Sequence, residues 1–404
     1  MLKILLLSPW LPWPPHDGAR IRILETLRFL AQRHEVTLLA HISSREELAH
    51  VEAIREYCAN IEVEMLSTAP LPRMGRLGIG LLSGYPIIQS IHYSRHLAKR
   101  LASITAREHF DIIQVELSMM ARYARSISPS CSAKTVLATH NIETQRFQRE
   151  IPLSPWGLRR MALVINSLLF PSWEQKSMAM YDGAVAVSEH DRDWAQNYLP
   201  PGCVSLVPNG VDTRFFLPDR PDGASRSMVF TGVMDYPPNV DAVVWFVNEI
   251  FPQLRAHYPD LEFDIVGAKP SAAVLALAAR DGVTVTGAVP DIRPFVDRAF
   301  AFVVPLRSGG GTRLKILQAM AMGCPVVSTR LGAEGIDVTH GENLLFADDA
   351  PQFLEQIGNL GASPDLGQHI GRAGRELVCS RYDWQSCLEG LEQLYLKLLG
   401  NPQS

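Results

Sequence analysis

Twice along this chain, short apolar, β-branched runs alternate with longer stretches whose apolar positions recur at helical spacing. No other feature constrains the fold as much. The alternation is that of βα units wound around a parallel sheet. In the first half the strand-like runs are KILLLS, EVTLLAHIS, IEVEML, DIIQVEL, KTVLATH, GAVAVS and VSLVP. Their near-continuous apolarity predicts burial on both faces. Between the first two, DGARIRILETLRFLAQRHE sets Ile23, Leu24, Leu27, Leu30 and Ala31 on one stripe, which predicts a helix packed on the sheet. At VPNGVDTRFFLPDRPDGASRS the periodicity gives way to Pro, Gly, Asp and Ser, the composition of a hinge. The alternation then restarts with MVFTGVM, a helix over 239–257, EFDIVGA, a helix near 272–280, VTVTGAV, a helix through Phe295, AFVVPL, a helix from Thr312, and CPVVSTR. The expected architecture is α/β, with two Rossmann-like, doubly wound parallel-sheet domains at 1–212 and 213–384 facing an interdomain cleft. A last amphipathic helix at 385–404, within WQSCLEGLEQLYLKLL, should cross back to the first domain.

Composition narrows the functional classes. With 404 residues, 47% apolar and 20% charged, the chain can bury sizeable cores and is neither disordered nor fibrous. Lys plus Arg number 38 against 42 Asp plus Glu, so the overall basic excess that nucleic-acid binding favours is missing, and no nucleic-acid partner is expected. Six cysteines at 58, 131, 203, 324, 379 and 387 form no CxxC pair and read as reduced thiols of a cytoplasmic protein. MLKILLLSPWLPWPP reads as a first buried strand rather than a signal peptide, because aromatic and proline residues stand where a small-residue cleavage site belongs. Charge is uneven: 71–170 holds 13 Lys/Arg against 5 Asp/Glu, and no carboxylate occurs between Pro70 and Arg107. Arg73, Arg76, Arg95, Lys99, Arg100 and Arg107 punctuate that apolar stretch. It suits peripheral contact with an anionic membrane, and equally a solvated helix face.

Open parallel sheets bind ligands at the carboxyl ends of their strands, where helix connections change sides. After the run AFVVPL, Gly309, Gly310 and Gly311 allow close backbone approach to a ligand, and Thr312 is placed to cap the following helix. A helix N-terminus there offers unsatisfied N–H groups to an anion. Arg313 and Lys315 are cations where the helix dipole disfavours them, and a bound phosphate resolves that conflict. No GxxxxGK[ST] loop occurs and no GxGxxG follows a strand, so ATP hydrolysis and dinucleotide binding lose support.

Several motifs in order, PPHDGARIR, THNIE, DGAVAVSEHD, VPNGVD, FTGVMDYPPNVDAVVWF, DIVG and GGGTRLKILQAMAMGCPVVST, resemble the GT-B fold glycosyltransferases of family 4 across nearly the whole chain. The resemblance implies a retaining, metal-independent enzyme of hexosyltransferase type, without a cofactor. It would transfer sugar from a nucleotide-diphosphate donor to a glycan or lipid-linked hydroxyl acceptor in polysaccharide synthesis. Such an enzyme would be cytoplasmic or peripheral on the inner face of the cell membrane.

By resemblance, the second domain holds the donor through Gly232, Val233, Gly267, Pro290, Asp291, Ile292, Gly309, Gly310, Gly311, Thr312, Leu314 and Gln318. Arg313 and Lys315 would neutralise the departing diphosphate, and His140, at the end of KTVLATH, would touch the transferred sugar. The family commonly carries two glutamates where this chain has Gly310 and Gln318. Gln318 forfeits a charge-assisted bond to the ribose, so a degenerate nucleotide-sugar-binding protein is one alternative and a sugar-nucleotide epimerase another. Gly18 and Glu143 are the acceptor-side candidates, with plain turn chemistry and a helix-start carboxylate as equal explanations. Asp191 and Asp193 form a DxD, but next to a helix start they favour the dipole rather than a metal. His92 and His96 read as a surface pair.

Overall fold

A computed structural model describes residues 1–152, 154, 156–219, 226–309 and 313–400. The chain divides into two compact units. One comprises Met1–Ile151, Pro155–Pro208 and Leu388–Ser404, the other Pro152–Ser154 and Asn209–Cys387.

The first unit is built on a seven-stranded sheet of β1 (Lys3–Ser8), β2 (Glu35–Ile42), β3 (Asn60–Met65), β4 (Ile112–Glu116), β5 (Lys134–Ala138), β6 (Gly183–Ala186) and β7 (Val204–Leu206), in the order β3-β2-β1-β4-β5-β6-β7. Every neighbouring pair is parallel. Ile4 to Leu7 and Ile112 to Val115 are buried, as doubly covered central strands must be. At the edge β3 is only half-buried, because one side of its ladder has no neighbour. The uniform burial expected of all the runs fails there.

Among the helices, α1 (Gly18–Ala31) starts where Asp17 accepts the Arg20 N–H at 3.0 Å and buries Ile23, Leu24, Leu27 and Leu30 as the stripe predicts. Next come α2 (Pro70–Leu82), α3 (Ile87–His92), α4 (Arg95–Arg107), α5 (Glu143–Glu150) and α6 (Leu158–Met178). The C-terminal helix Trp384–Leu398 buries Leu388, Leu391, Leu394 and Tyr395 at helical spacing.

The second unit repeats the plan with β8 (Ser227–Thr231), β9 (Glu262–Val266), β10 (Val283–Gly287), β11 (Ala299–Val304), β12 (Val326–Ser328) and β13 (Leu345–Phe346), in the order β10-β9-β8-β11-β12-β13. This sheet too is parallel throughout. The two-residue β13 carries no sequence signal of its own. The continuous helix expected over 239–257 is instead a helix Pro237–Trp245, a π-helical turn Phe246–Ile250 and a helix Phe251–His257. Pro252 lacks the N–H that an unbroken α-ladder would need from it, which accounts for the wider turn before it. In each sheet the order reverses beside the first strand. That puts the switch points at the carboxyl ends of β1 and β4 in one unit and of β8 and β11 in the other.

Candidate functional site

In the second unit, β8 ends at Thr231 and the chain turns through Gly232 and Val233. Gly232 N donates to Val266 O at 3.0 Å, and Gly267, with φ +152°, lies directly against it. A Cβ on Gly267 would stand 1.7 Å from the Gly232 carbonyl oxygen, so the two loops can touch only through glycine. A Cβ on Gly232 would in turn meet Asn239 Nδ2 at 2.7 Å and Lys315 Nζ at 2.9 Å.

Asn239, in the first turn of the Pro237–Trp245 helix, ties this region together. Its Nδ2 donates to Val233 O at 2.9 Å, while its Oδ1 accepts from Lys315 Nζ at 3.0 Å. The same ammonium lies 3.9 Å from the centre of the Phe230 ring. Burial, and after it the nearby Arg313, push the Lys315 pKa well below the ordinary lysine value. Asn239 escaped the sequence reading. Its only signal was its place behind two prolines at a helix start.

From β11 the chain runs through Ser308, whose buried Oγ has no partner among the described residues, to Gly309 at φ +112°. A Cβ there would be 2.8 Å from Arg313 Nη2. Gly310, Gly311 and Thr312 lie outside the described residues. The helix expected from Thr312 begins later, at Leu314, with Arg313 as its N-cap and no side chain capping it, and it runs to Ala321. Arg313 thus stands at the cap and Lys315 within the first turn. Leu314 and Gln318 are half-buried on that helix. Arg307 is turned aside, held by Asp241 through contacts of 3.0 and 2.6 Å.

The loop after β10 carries Pro290, Asp291 and Ile292. The Asp291 carboxylate is engaged by Arg293, with Nη2 at 2.7 Å and Nε at 2.9 Å. The hydrogen bonds from Arg293 hold its pKa below the usual range. Asp291 can therefore offer a ligand its backbone more readily than its charge.

In the first unit Gly18 is the first residue of α1, next to its Asp17 cap, and the Arg20 guanidinium sits 5.0 Å from the Trp10 ring centre. His140 lies just past β5, buried, with Nε2 2.9 Å from Glu116 Oε2. The carboxylate beside His140 is Glu116, from the end of β4, and not the acceptor-side candidate Glu143 that follows it closely in sequence. Glu143 pairs with Arg146 at 2.5 Å, and its backbone N–H donates to Glu174 at 2.8 Å. Burial pushes the Glu174 carboxyl up to about 7, against the lowering effect of its bonds from Thr144.

His92 and His96 are not a surface pair. His92 ends α3 and His96 is the second residue of α4, and burial, helped by nearby cationic groups, pushes His92 down to about 4. Asp191 is buried in a helix start and Asp193 holds Arg192 at 2.9 Å. Among the described residues no group of three or more His, Cys, Asp or Glu side chains could hold a metal.

A sequence model described as Glycosyltransferase Family 4 matches residues 16–215, and one described as Glycosyl transferases group 1 matches residues 225–362. A 44.6 kDa protein in the cps region of Klebsiella pneumoniae is 23% identical over 394 residues, covering 95% of this chain and 97% of that one. The GDP-mannose-dependent alpha-(1-6)-phosphatidylinositol monomannoside mannosyltransferase of Mycolicibacterium smegmatis is 27% identical over 296 residues, covering 63% of this chain and 76% of that one. Among solved structures, sucrose-phosphate synthase from Thermosynechococcus elongatus aligns with a TM-score of 0.71 at 17% identity, covering 99% of this chain and 100% of that one.

Proposed function

Because the chain belongs to the GT-B glycosyltransferases, family 4 in its first half and group 1 in its second, we propose that it retains anomeric configuration as it moves a sugar from a nucleotide-diphosphate donor to a glycan or lipid-linked hydroxyl. The second unit holds the donor and the first the acceptor. The observation that carries this reading is the Lys315–Asn239–Gly232 cluster at the switch point of the second sheet: a half-buried ammonium, beside a second cation, over a glycine floor. That is a seat for phosphate oxygens, and the start of the Leu314–Ala321 helix adds its positive end.

Breaking the sugar–phosphate bond builds positive charge on the anomeric carbon and negative charge on the departing diphosphate. Lys315 and Arg313 stabilise the latter from fixed positions, so the reading needs no metal to neutralise it. The acceptor hydroxyl loses its proton to the departing phosphate, and His140 holds the sugar. Ser308 Oγ, unpartnered beside Gly309, is available to the same ligand. Mannosyl transfer to phosphatidylinositol monomannoside by the Mycolicibacterium relative, and the cps origin of the Klebsiella protein, support a lipid-linked or polysaccharide acceptor.

The acceptor's setting extends the proposal to a membrane surface. No helix among the described residues is long and apolar enough to cross a bilayer. Yet Leu71, Met74 and Leu82 on α2, and Trp156, Leu158 and Leu168 at or near α6, are 67% to 91% exposed. Neither 70–107 nor 151–173 contains a carboxylate, while Arg73, Arg159 and Arg160 accompany the apolar side chains. Apolar area flanked by these cations, of which Arg159 also reaches Glu150 at 3.7 Å, fits an anionic lipid leaflet.

Incubating the protein with labelled nucleotide-sugars and membrane lipid extract tests the function. Labelled glycolipid is the expected product. Nucleotide-sugar binding without transfer would replace this reading with the degenerate one that Gln318 motivates.

A further inference from the structure

Glu116 is among the most deeply buried carboxylates of the first unit, at 1% exposure, and it accepts on both oxygens. Oε2 faces His140 Nε2 at 2.9 Å and Oε1 accepts from Gln114 Nε2 at 2.6 Å. Gln114 and Glu116, two apart on β4, share a face of the sheet, and Glu116 pairs in register with Ala138, two residues before His140. The far end of the chain completes the series: Tyr395, fully buried on the C-terminal helix, bonds Gln114 Oε1.

Each direction in this series follows from the one before it. A carboxylate acceptor faces the amide nitrogen of Gln114, so the amide oxygen faces Tyr395, whose hydroxyl must donate. Burial, with the Glu116 charge adding to it, raises the Tyr395 pKa well above the ordinary phenol value and keeps that proton in place. At the other end Glu116 can only be met by an N–H, so the proton of a neutral imidazole sits on Nε2. Among the described residues nothing bonds Nδ1, which is left as a lone pair.

We propose that Glu116, backed by Gln114 and Tyr395, is a positioning residue that holds His140 in the Nε2–H form and presents Nδ1 as an acceptor for a donor-sugar hydroxyl. The catalytic meaning rests on the reading of His140 above, while the fixed tautomer does not. The C-terminal helix thereby takes part, through Tyr395 and Gln114, in setting that tautomer.

The test begins on the whole protein without ligand, by nitrogen-15 NMR of selectively labelled histidine with His140→Gln to assign the resonance. The wild type should show His140 almost wholly as the Nε2–H tautomer. Glu116→Gln should shift much of the population to Nδ1–H, because one amide oxygen cannot serve both Gln114 and His140. Tyr395→Phe, which removes only the hydroxyl, should shift a smaller fraction, with the protein still folded by circular dichroism.

With labelled nucleotide-sugar and membrane lipid extract, Glu116→Gln should lower kcat at least tenfold and leave the affinity for the nucleoside diphosphate within twofold. A wild-type Nδ1–H tautomer, or one unmoved by Glu116→Gln, overturns the proposal whatever the activity does. Normal transfer by His140→Gln, beside a tautomer that still responds to Glu116→Gln, would sink the catalytic reading alone.

Discussion

Lys315 Nζ lies 3.0 Å from Asn239 Oδ1, and Asn239 Nδ2 lies 2.9 Å from the carbonyl of Val233, so one amide bridges the helix that begins at Leu314 and the loop that ends β8. The bridge places a cation and a glycine turn on the same side of one sheet switch point. Asn239→Ala removes both bonds and should weaken nucleoside-diphosphate binding about tenfold, ~1.4 kcal/mol. Titration calorimetry with UDP and GDP reads this directly. Wild-type affinity would mean that loop and lysine are placed independently.

Lys315 also predicts a pH dependence. Burial and Arg313 hold its pKa well below the usual value in the free protein, and a bound diphosphate favours the ammonium and raises it. Binding therefore takes up a proton, and affinity falls as pH rises through the free-protein pKa. Calorimetry in buffers of different ionisation enthalpy should detect that uptake. Lys315→Ala should abolish it and cost at least ~1.5 kcal/mol of affinity. Buffer-independent heats with the wild type would count against the phosphate seat.

His41 and His92 govern acid stability in the first unit. Burial first of all pushes both from the ordinary 6.5 down to about 4. Below pH 6.5 the unfolded chain binds protons that the folded chain refuses, so stability is lost as pH falls from 6.5 toward 4, by about 2 kcal/mol for each group at pH 5. Glu174, raised to about 7, acts oppositely, since its stabilising effect is lost as pH rises from 4.5. Urea unfolding of the wild type and His92→Asn at pH 7.5 and 5.0 separates the terms. The variant should lose about 2 kcal/mol less between the two pH values, and an equal loss would remove His92 from the account.

The outward apolar faces of α2 and α6 should bind vesicles in proportion to their anionic lipid. In sedimentation with phosphatidylglycerol-containing vesicles the protein should pellet, and with pure phosphatidylcholine it should not. Leu82→Glu with Leu168→Glu should reduce the bound fraction several-fold and leave UDP affinity unchanged, since both residues belong to the first unit and the proposed donor seat to the second. Undiminished sedimentation of that variant would exclude these faces as the contact.

How much of this was legible beforehand depended on the kind of interaction. Central strands such as KILLLS and MVFTGVM announce themselves because burial on both faces demands apolar residues throughout. Lys315 and Gly309 stood out in the sequence because a cation at a helix start and a run of glycines suit a bound anion. Asn239 was not, since an asparagine behind prolines has ordinary local reasons to be there. The helix start at Leu314 rather than Thr312 likewise escapes a capping rule, since no side chain caps it.

The two βα series and the break between them were determined by the sequence alone, because periodicity and backbone freedom are properties of neighbouring residues. The partner of His140 was decided only by tertiary structure. Glu143, close in sequence, points to Arg146, while Glu116 on the adjacent strand meets the histidine and Tyr395 on the final helix backs that strand through Gln114. Strand register and helix docking set those distances, and both arise from burying apolar area contributed by segments far apart in the chain.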